Sequence, residues 1–135
     1  MGINGVTLTP LKQIHNPKGD IFHALKMSEP TFSNFGEAYF STIHKNDIKG
    51  WKQHSKMQCN LIVPSGSVKF VCFDNNGFYE TTLNKENYAR LTIEPGVWFA
   101  FTGLEEENLI LNLASIEHSP NEQITKELHE INYVW

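Results

Sequence analysis

Val68-Lys69-Phe70-Val71-Cys72-Phe73-Asp74-Asn75-Asn76-Gly77-Phe78-Tyr79-Glu80-Thr81-Thr82-Leu83 reads as two short strands about a tight turn. β-Branched and aromatic residues fill both halves, and the Asp74-Asn75-Asn76-Gly77 centre supplies residues that tolerate positive φ in a hairpin. The same texture extends outward in both directions. Residues 37–44, 58–63, 89–93 and 109–116 are further runs of strand length, with Pro64-Ser65-Gly66 and similar turn signals between them. This spacing predicts an all-β sandwich or barrel of the jelly-roll type. Residues 1–20, punctuated by Pro10, Pro17 and Gly19-Asp20, form an extended N-terminal arm or edge strand. Residues 119–135 are a C-terminal tail. A short helix from Ser119 or Pro120 through Leu128 is one reading of it, since Pro120 suits a first turn and Asn121 and Glu122 its positive end. A loop followed by extended chain is the other.

The length of 135 residues fits a single domain with one core. A net charge of -4 argues against a dominant nucleic-acid or anionic-membrane surface, either of which needs an excess of Lys and Arg. No apolar run approaches the roughly 20 residues that span a bilayer. With only Cys59 and Cys72 and no leader-like start, the expectation is a cytoplasmic protein with reduced thiols. Phosphate-binding glycine loops, nucleophile elbows and paired-cysteine metal patterns are missing from the sequence.

Four segments resemble a known family, the dTDP-4-dehydrorhamnose 3,5-epimerases and related sugar-nucleotide cupins. They are Gly19-Asp20-Ile21-Phe22-His23, Phe35-Gly36-Glu37-Ala38-Tyr39-Phe40-Ser41, Ile48-Lys49-Gly50-Trp51-Lys52-Gln53-His54, and the Leu91 to Phe101 stretch around Glu94-Pro95-Gly96-Val97-Trp98. The resemblance implies a cupin barrel that epimerises or isomerises a nucleotide-linked 4-keto-6-deoxy sugar, by removing and returning protons beside the carbonyl. It implies a metal-independent isomerase without a cofactor, a role in surface polysaccharide synthesis, and a homodimer in which the segment around Val6 to Leu8 or Phe22 crosses to the partner. By spacing, the family's catalytic histidine falls on Lys52, its anion-binding arginine on Lys49, its enolate-stabilising lysine near Cys59, and its catalytic tyrosine near Leu111. A leucine can neither protonate a carbanion nor donate to an enolate, so the tyrosine's role has no evident occupant.

The candidate catalytic residues are Lys52 and His54. Strand alternation puts Gly50, Lys52 and His54 on one face and Lys49, Trp51 and Gln53 on the other. A lysine desolvated in a barrel is a candidate base, as is the histidine beside it; the plainer reading is a surface cation and a hydrogen-bonded rim residue. For substrate binding the candidates are Lys49 and Lys56, which with Lys45 and Lys52 would draw a diphosphate, together with Asn60, Trp98, Asn112 and Phe22. Asn60 and Asn112 interrupt apolar strands and need buried partners, either a ligand or a neighbouring strand. Trp98 is the preferred aromatic of the pocket. The cupin metal pattern fails, because Lys52 takes the place of the first histidine and Val97-Trp98-Phe99 follows the Pro95-Gly96 turn. Three readings of function remain open: a sugar-nucleotide epimerase or keto-isomerase, a cupin that binds such a ligand without catalysis, and a structural or assembly partner of another sugar-modifying enzyme.

Overall fold

The computed structural model describes residues 3–135. Twelve strands account for the architecture: β1 (Val6–Pro10), β2 (Gln13–Ile14), β3 (Ile21–Phe22), β4 (Glu37–His44), β5 (Ile48–His54), β6 (Cys59–Ser65), β7 (Val68–Asp74), β8 (Gly77–Leu83), β9 (Ala89–Ile93), β10 (Trp98–Gly103), β11 (Glu107–Ala114) and β12 (Gln123–Thr125). One sheet runs β1-β9-β6-β11-β4 and the facing sheet runs β12-β5-β10-β7-β8, with β2 and β3 as a separate small hairpin. Successive strands thus change sheets repeatedly, as in the jelly roll expected from the strand spacing. Among the described residues, the strands named pair antiparallel throughout, and a single isolated bridge, Lys45 with Gly103, is parallel.

The β7–β8 hairpin forms as its sequence dictates. Phe73 pairs with Phe78 and Asp74 with Gly77, leaving Asn75 and Asn76 as a two-residue turn. The Asp74 carboxylate accepts the Asn76 amide at 2.7 Å, and Gly77 takes φ 135°, a conformation costly for a residue with a Cβ. Alternate residues then face inward. Phe70, Cys72 and Leu83 join Leu61, Val63, Leu91, Ile93, Phe99 and Ile110 in the core between the sheets.

The C-terminal tail takes the extended reading, without an α-helix. A 3-10 turn at Pro120–Glu122 leads into β12, which pairs with the edge of β5 (Gln123 with His54, Thr125 with Lys52), and a second 3-10 turn spans Leu128–Glu130. Two things outweigh the helix signal at Pro120. The β-branched Ile124 and Thr125 satisfy an open sheet edge, and beyond them the chain lays Ile131, Tyr133 and Trp135 over Trp51 and Val71 on the outside of the second sheet.

Within residues 1–20, β1 is an edge strand of the first sheet. β1 pairs along its whole length with β9 of the same chain. On the outside of the first sheet, the loop at residues 23–36 is tied down by Arg90, which is fully buried. Its guanidinium donates to the Ala24 carbonyl at 2.5 Å, to Glu29 Oε2 at 2.8 Å and to Thr31 Oγ1 at 2.9 Å. Among the described residues, no helix is long and apolar enough to cross a membrane. Both cysteines are free and buried, and desolvation pushes each thiol up to about 12, so neither is a nucleophile.

Candidate active site

Inside the sandwich, a cavity of about 120 Å³ is lined by Tyr39, Ser41, Lys49, Lys52, His54, Leu61, Phe99, Phe101, Ile110 and Asn112. It draws on β4, β5, β6, β10 and β11, so both sheets build it. Lys49 and Tyr39 sit at its exposed mouth, whereas His54 is only 5% exposed. A larger concavity of about 640 Å³ lies near the β4–β11 end, around Thr42, His44, Glu106 and Glu107. Its carboxylates disfavour an anionic ligand, whereas the smaller cavity brings Lys49, Lys52, His54 and Tyr39 together.

His54 is the best-supported side chain in the cavity. Its Nδ1 hydrogen-bonds Glu122 Oε1, both side chains being nearly inaccessible to solvent. The other carboxylate oxygen accepts the Lys56 and Met57 amides at 3.1 and 3.2 Å, and the Glu122 carbonyl accepts Ser55 Oγ at 2.8 Å and the Ser55 amide at 2.7 Å. Glu122 is therefore held from several sides. Burial raises its pKa, but the His54 hydrogen bond and the two backbone amides outweigh this and leave it below the ordinary carboxylate value. An ionised Glu122 fixes a proton on His54 Nδ1 and leaves Nε2 as the free basic nitrogen. Phe99 stacks on the imidazole with ring centroids 6.1 Å apart and planes inclined by 25°.

Tyr39 stands on the facing sheet. Its hydroxyl accepts Asn112 Nδ2 at 2.9 Å, and Asn112 Oδ1 accepts the Asn60 amide at 3.1 Å, so the phenol's position is set by a chain of buried amides. Desolvation raises the phenol's pKa, against the opposing Asn112 hydrogen bond, and keeps it protonated. A hydroxyl thus occurs in the cavity even though Leu111 sits where the resemblance places the tyrosine. Neither Tyr39 nor Glu122 was legible as a site residue from strand patterning. Tyr39 lay within the quoted Phe35 to Ser41 segment, and Glu122 read only as a helix-start residue.

Lys52 and His54 line the cavity together, as alternation requires. Lys49 does not follow the alternation rule. The β10–β5 register slips between Phe99 (opposite Lys52) and Phe101 (opposite Lys49), so β5 carries an extra residue at a bulge. The bulge returns Lys49 to the cavity side while Trp51, fully buried, turns outward beneath the tail. Gly50 permits this, since a Cβ there would lie 2.3 Å from that of Ala100. At the mouth, Lys49 Nζ donates to the Thr42 carbonyl at 2.6 Å.

The remaining candidates are placed elsewhere. Asn60 turns its side chain away from the cavity, to Thr92 Oγ1 at 2.7 Å, Gln58 Oε1 and the Leu113 carbonyl, so neighbouring strands rather than a ligand satisfy it. Lys56 lies exposed in the β5–β6 connection and contributes its amide to Glu122. Phe22 packs on Tyr88 in the small hairpin, with ring centroids 5.4 Å apart. Trp98 occupies the outer face of the second sheet, because its neighbour Phe99 takes the inward position. Among the described residues, no cluster of His, Cys, Asp or Glu is arranged to hold a metal ion.

Comparison with known proteins bears on the family and the fold. A sequence search of curated proteins returns no match. Among solved structures, the chain is similar to the dTDP sugar isomerase of Desulfovibrio desulfuricans G20 (32% identity over 93% of this chain and 85% of that one, TM-score 0.88). It is also similar to QdtA, a sugar 3,4-ketoisomerase from Thermoanaerobacterium thermosaccharolyticum solved with TDP (25% identity, 90% and 88% coverage, TM-score 0.80). The dTDP-4-dehydrorhamnose 3,5-epimerase of Sulfolobus tokodaii shares the fold at 21% identity (96% and 81% coverage, TM-score 0.85). The family described as "FdtA: WxcM-like, C-terminal" matches residues 4–134, and the chain belongs to that family of sugar-nucleotide epimerase-like cupins.

Proposed function

We propose that the chain isomerises a nucleotide-linked 4-keto-6-deoxy sugar, moving the carbonyl from C4 to C3. The observation that carries this reading is the buried His54–Glu122 pair with its free Nε2 on the cavity. It is the cavity's single imidazole, and a keto shift along one carbon–carbon bond needs one base that removes a proton and returns it next door. In the first half, His54 Nε2 takes the proton from C3, and the electron pair forms a C3–C4 double bond with negative charge on O4. In the second half, the imidazolium protonates C4 while the O3 hydroxyl loses its proton and becomes the carbonyl. The protonated Tyr39 hydroxyl supplies the proton that O4 gains and takes back the one that O3 loses, so it ends the cycle protonated, and Lys52 contributes positive charge toward the developing oxyanion. Lys49, exposed at the mouth, is placed for the diphosphate. In this reading the reacting carbons of the sugar meet His54 in the cavity and the nucleotide lies along the rim.

The direct test incubates the chain with TDP-4-keto-6-deoxyglucose in deuterated buffer and follows the sugar carbons by NMR. The expected result is a 3-keto product. Tyr39→Phe is expected to lower turnover about tenfold or more with little change in KM, as befits a proton donor rather than a binding group. Saturable ligand shifts without conversion or exchange would instead identify the non-catalytic binding cupin.

Two finer readings accompany this proposal. The reduced, buried thiols fit a cytoplasmic enzyme supplying sugars for a surface polysaccharide. A homodimer fits the exposed Phe35 and Phe40, each 65% exposed, with Phe40 on β4, an edge of the first sheet. Light scattering at micromolar concentration that returned the monomer mass would dismiss the dimer.

A further inference from the structure

Trp98, singled out from the sequence as a stacking residue, serves no function in the inner cavity. On the outer face it stands in a row. Trp98 on β10 pairs with Phe73 on β7, which pairs with Phe78 on β8, and the two phenylalanine rings lie 4.7 Å apart. This row floors a second concavity of about 360 Å³, within the size range of small-molecule sites. Asn75 from the β7–β8 turn and Lys126, Glu130, Ile131 and Asn132 of the C-terminal segment complete its lining. Lys126 Nζ lies 5.2 Å from the centroid of the Trp98 ring.

The rim decides the ligand class. The lining holds one ammonium, Lys126, and one carboxylate, Glu130, so the site selects neither an anion nor a cation. It lacks the clustered donors of a phosphate site and the clustered oxygens of a metal site. The two primary amides, Asn75 and Asn132, offer donors and acceptors alike around an aromatic floor. A pyranose combines these requirements, with an apolar C–H face for the rings and hydroxyls around its circumference for the amides and charges. We infer that the outer face of the second sheet carries a carbohydrate subsite, separate from the inner cavity, that stacks a neutral hexopyranose on the Trp98–Phe73–Phe78 row.

Saturation-transfer NMR with methyl hexopyranosides and methyl 6-deoxyhexopyranosides tests the inference on the intact chain. Transfer to the ring C–H protons of at least one glycoside is expected, unaltered by excess TDP. It should weaken about tenfold in Trp98→Ala and in the rim variant Asn75→Ala/Asn132→Ala, where only exposed side chains change and the fold is retained. The rim variant should isomerise the nucleotide sugar at the native rate. Absence of transfer, displacement by TDP, stronger binding of thymidine than of any glycoside, or indifference to both variants would each overturn it.

Discussion

His54→Asn is expected to reduce turnover of TDP-4-keto-6-deoxyglucose by about 10²–10⁴-fold while the protein remains folded, because asparagine retains a donor toward Glu122 but has no basic nitrogen for the cavity. The comparison with Glu122 gives this prediction its force. The native Glu122 carboxylate accepts from three donors, the His54 Nδ1–H and the Lys56 and Met57 amides, whereas the side-chain amide of Glu122→Gln offers only one accepting oxygen. Either the imidazole loses its orientation or the backbone amides are left unpaired. Turnover should fall with KM nearly constant, its pH profile should move, and Glu122→Asp should restore part of the rate. Equal activity of native protein and His54→Asn in a stopped NMR assay would remove His54 from the mechanism and leave Lys52 as the remaining base.

Arg90→Ala is expected to cost about 3–5 kcal/mol of folding stability, read as a lower urea midpoint by tryptophan fluorescence. The side chain is wholly buried, and its removal strands Glu29, whose side chain is only 19% exposed, without its cation. It also frees the residue 23–36 loop from β9. Replacing both partners by apolar residues should recover much of the loss, since the penalty comes from breaking the pair rather than from lacking it. The pH dependence has a definite sign. The Arg90 hydrogen bond lowers the Glu29 pKa below its ordinary 4.5, against the opposing effect of burial. A carboxylate depressed in the folded state stabilises above its unfolded pKa and loses that contribution as pH falls through the folded value. The native protein should therefore weaken below about pH 4.5, with the lowered pKa of Glu122 acting in the same direction. Arg90→Ala should show a shallower acid slope.

Hairpins, strand runs and the pairing of Lys52 with His54 were readable along the chain because they depend on local rules: turn chemistry, β-branching and the two-residue alternation of side chains. Those rules sufficed for the all-β class and for placing Lys52 and His54 on one face of a strand, while which way that face points was left open. They misplaced Lys49, since a one-residue bulge in β5 inverts the alternation and depends on how β10 lies against it. They were silent about Glu122, which lies 68 residues from His54 and reaches it only because β12 closes the edge of the second sheet. Asn60 and Asn112 read alike in sequence, yet one faces a neighbouring strand and the other the cavity. Trp98 and Phe99 divide in the same way, one outward and one inward. The amino-acid order by itself specifies the elements and the residue types available for proton transfer. Which of them meet is settled by contacts between residues far apart in the chain, and no local propensity encodes that distance.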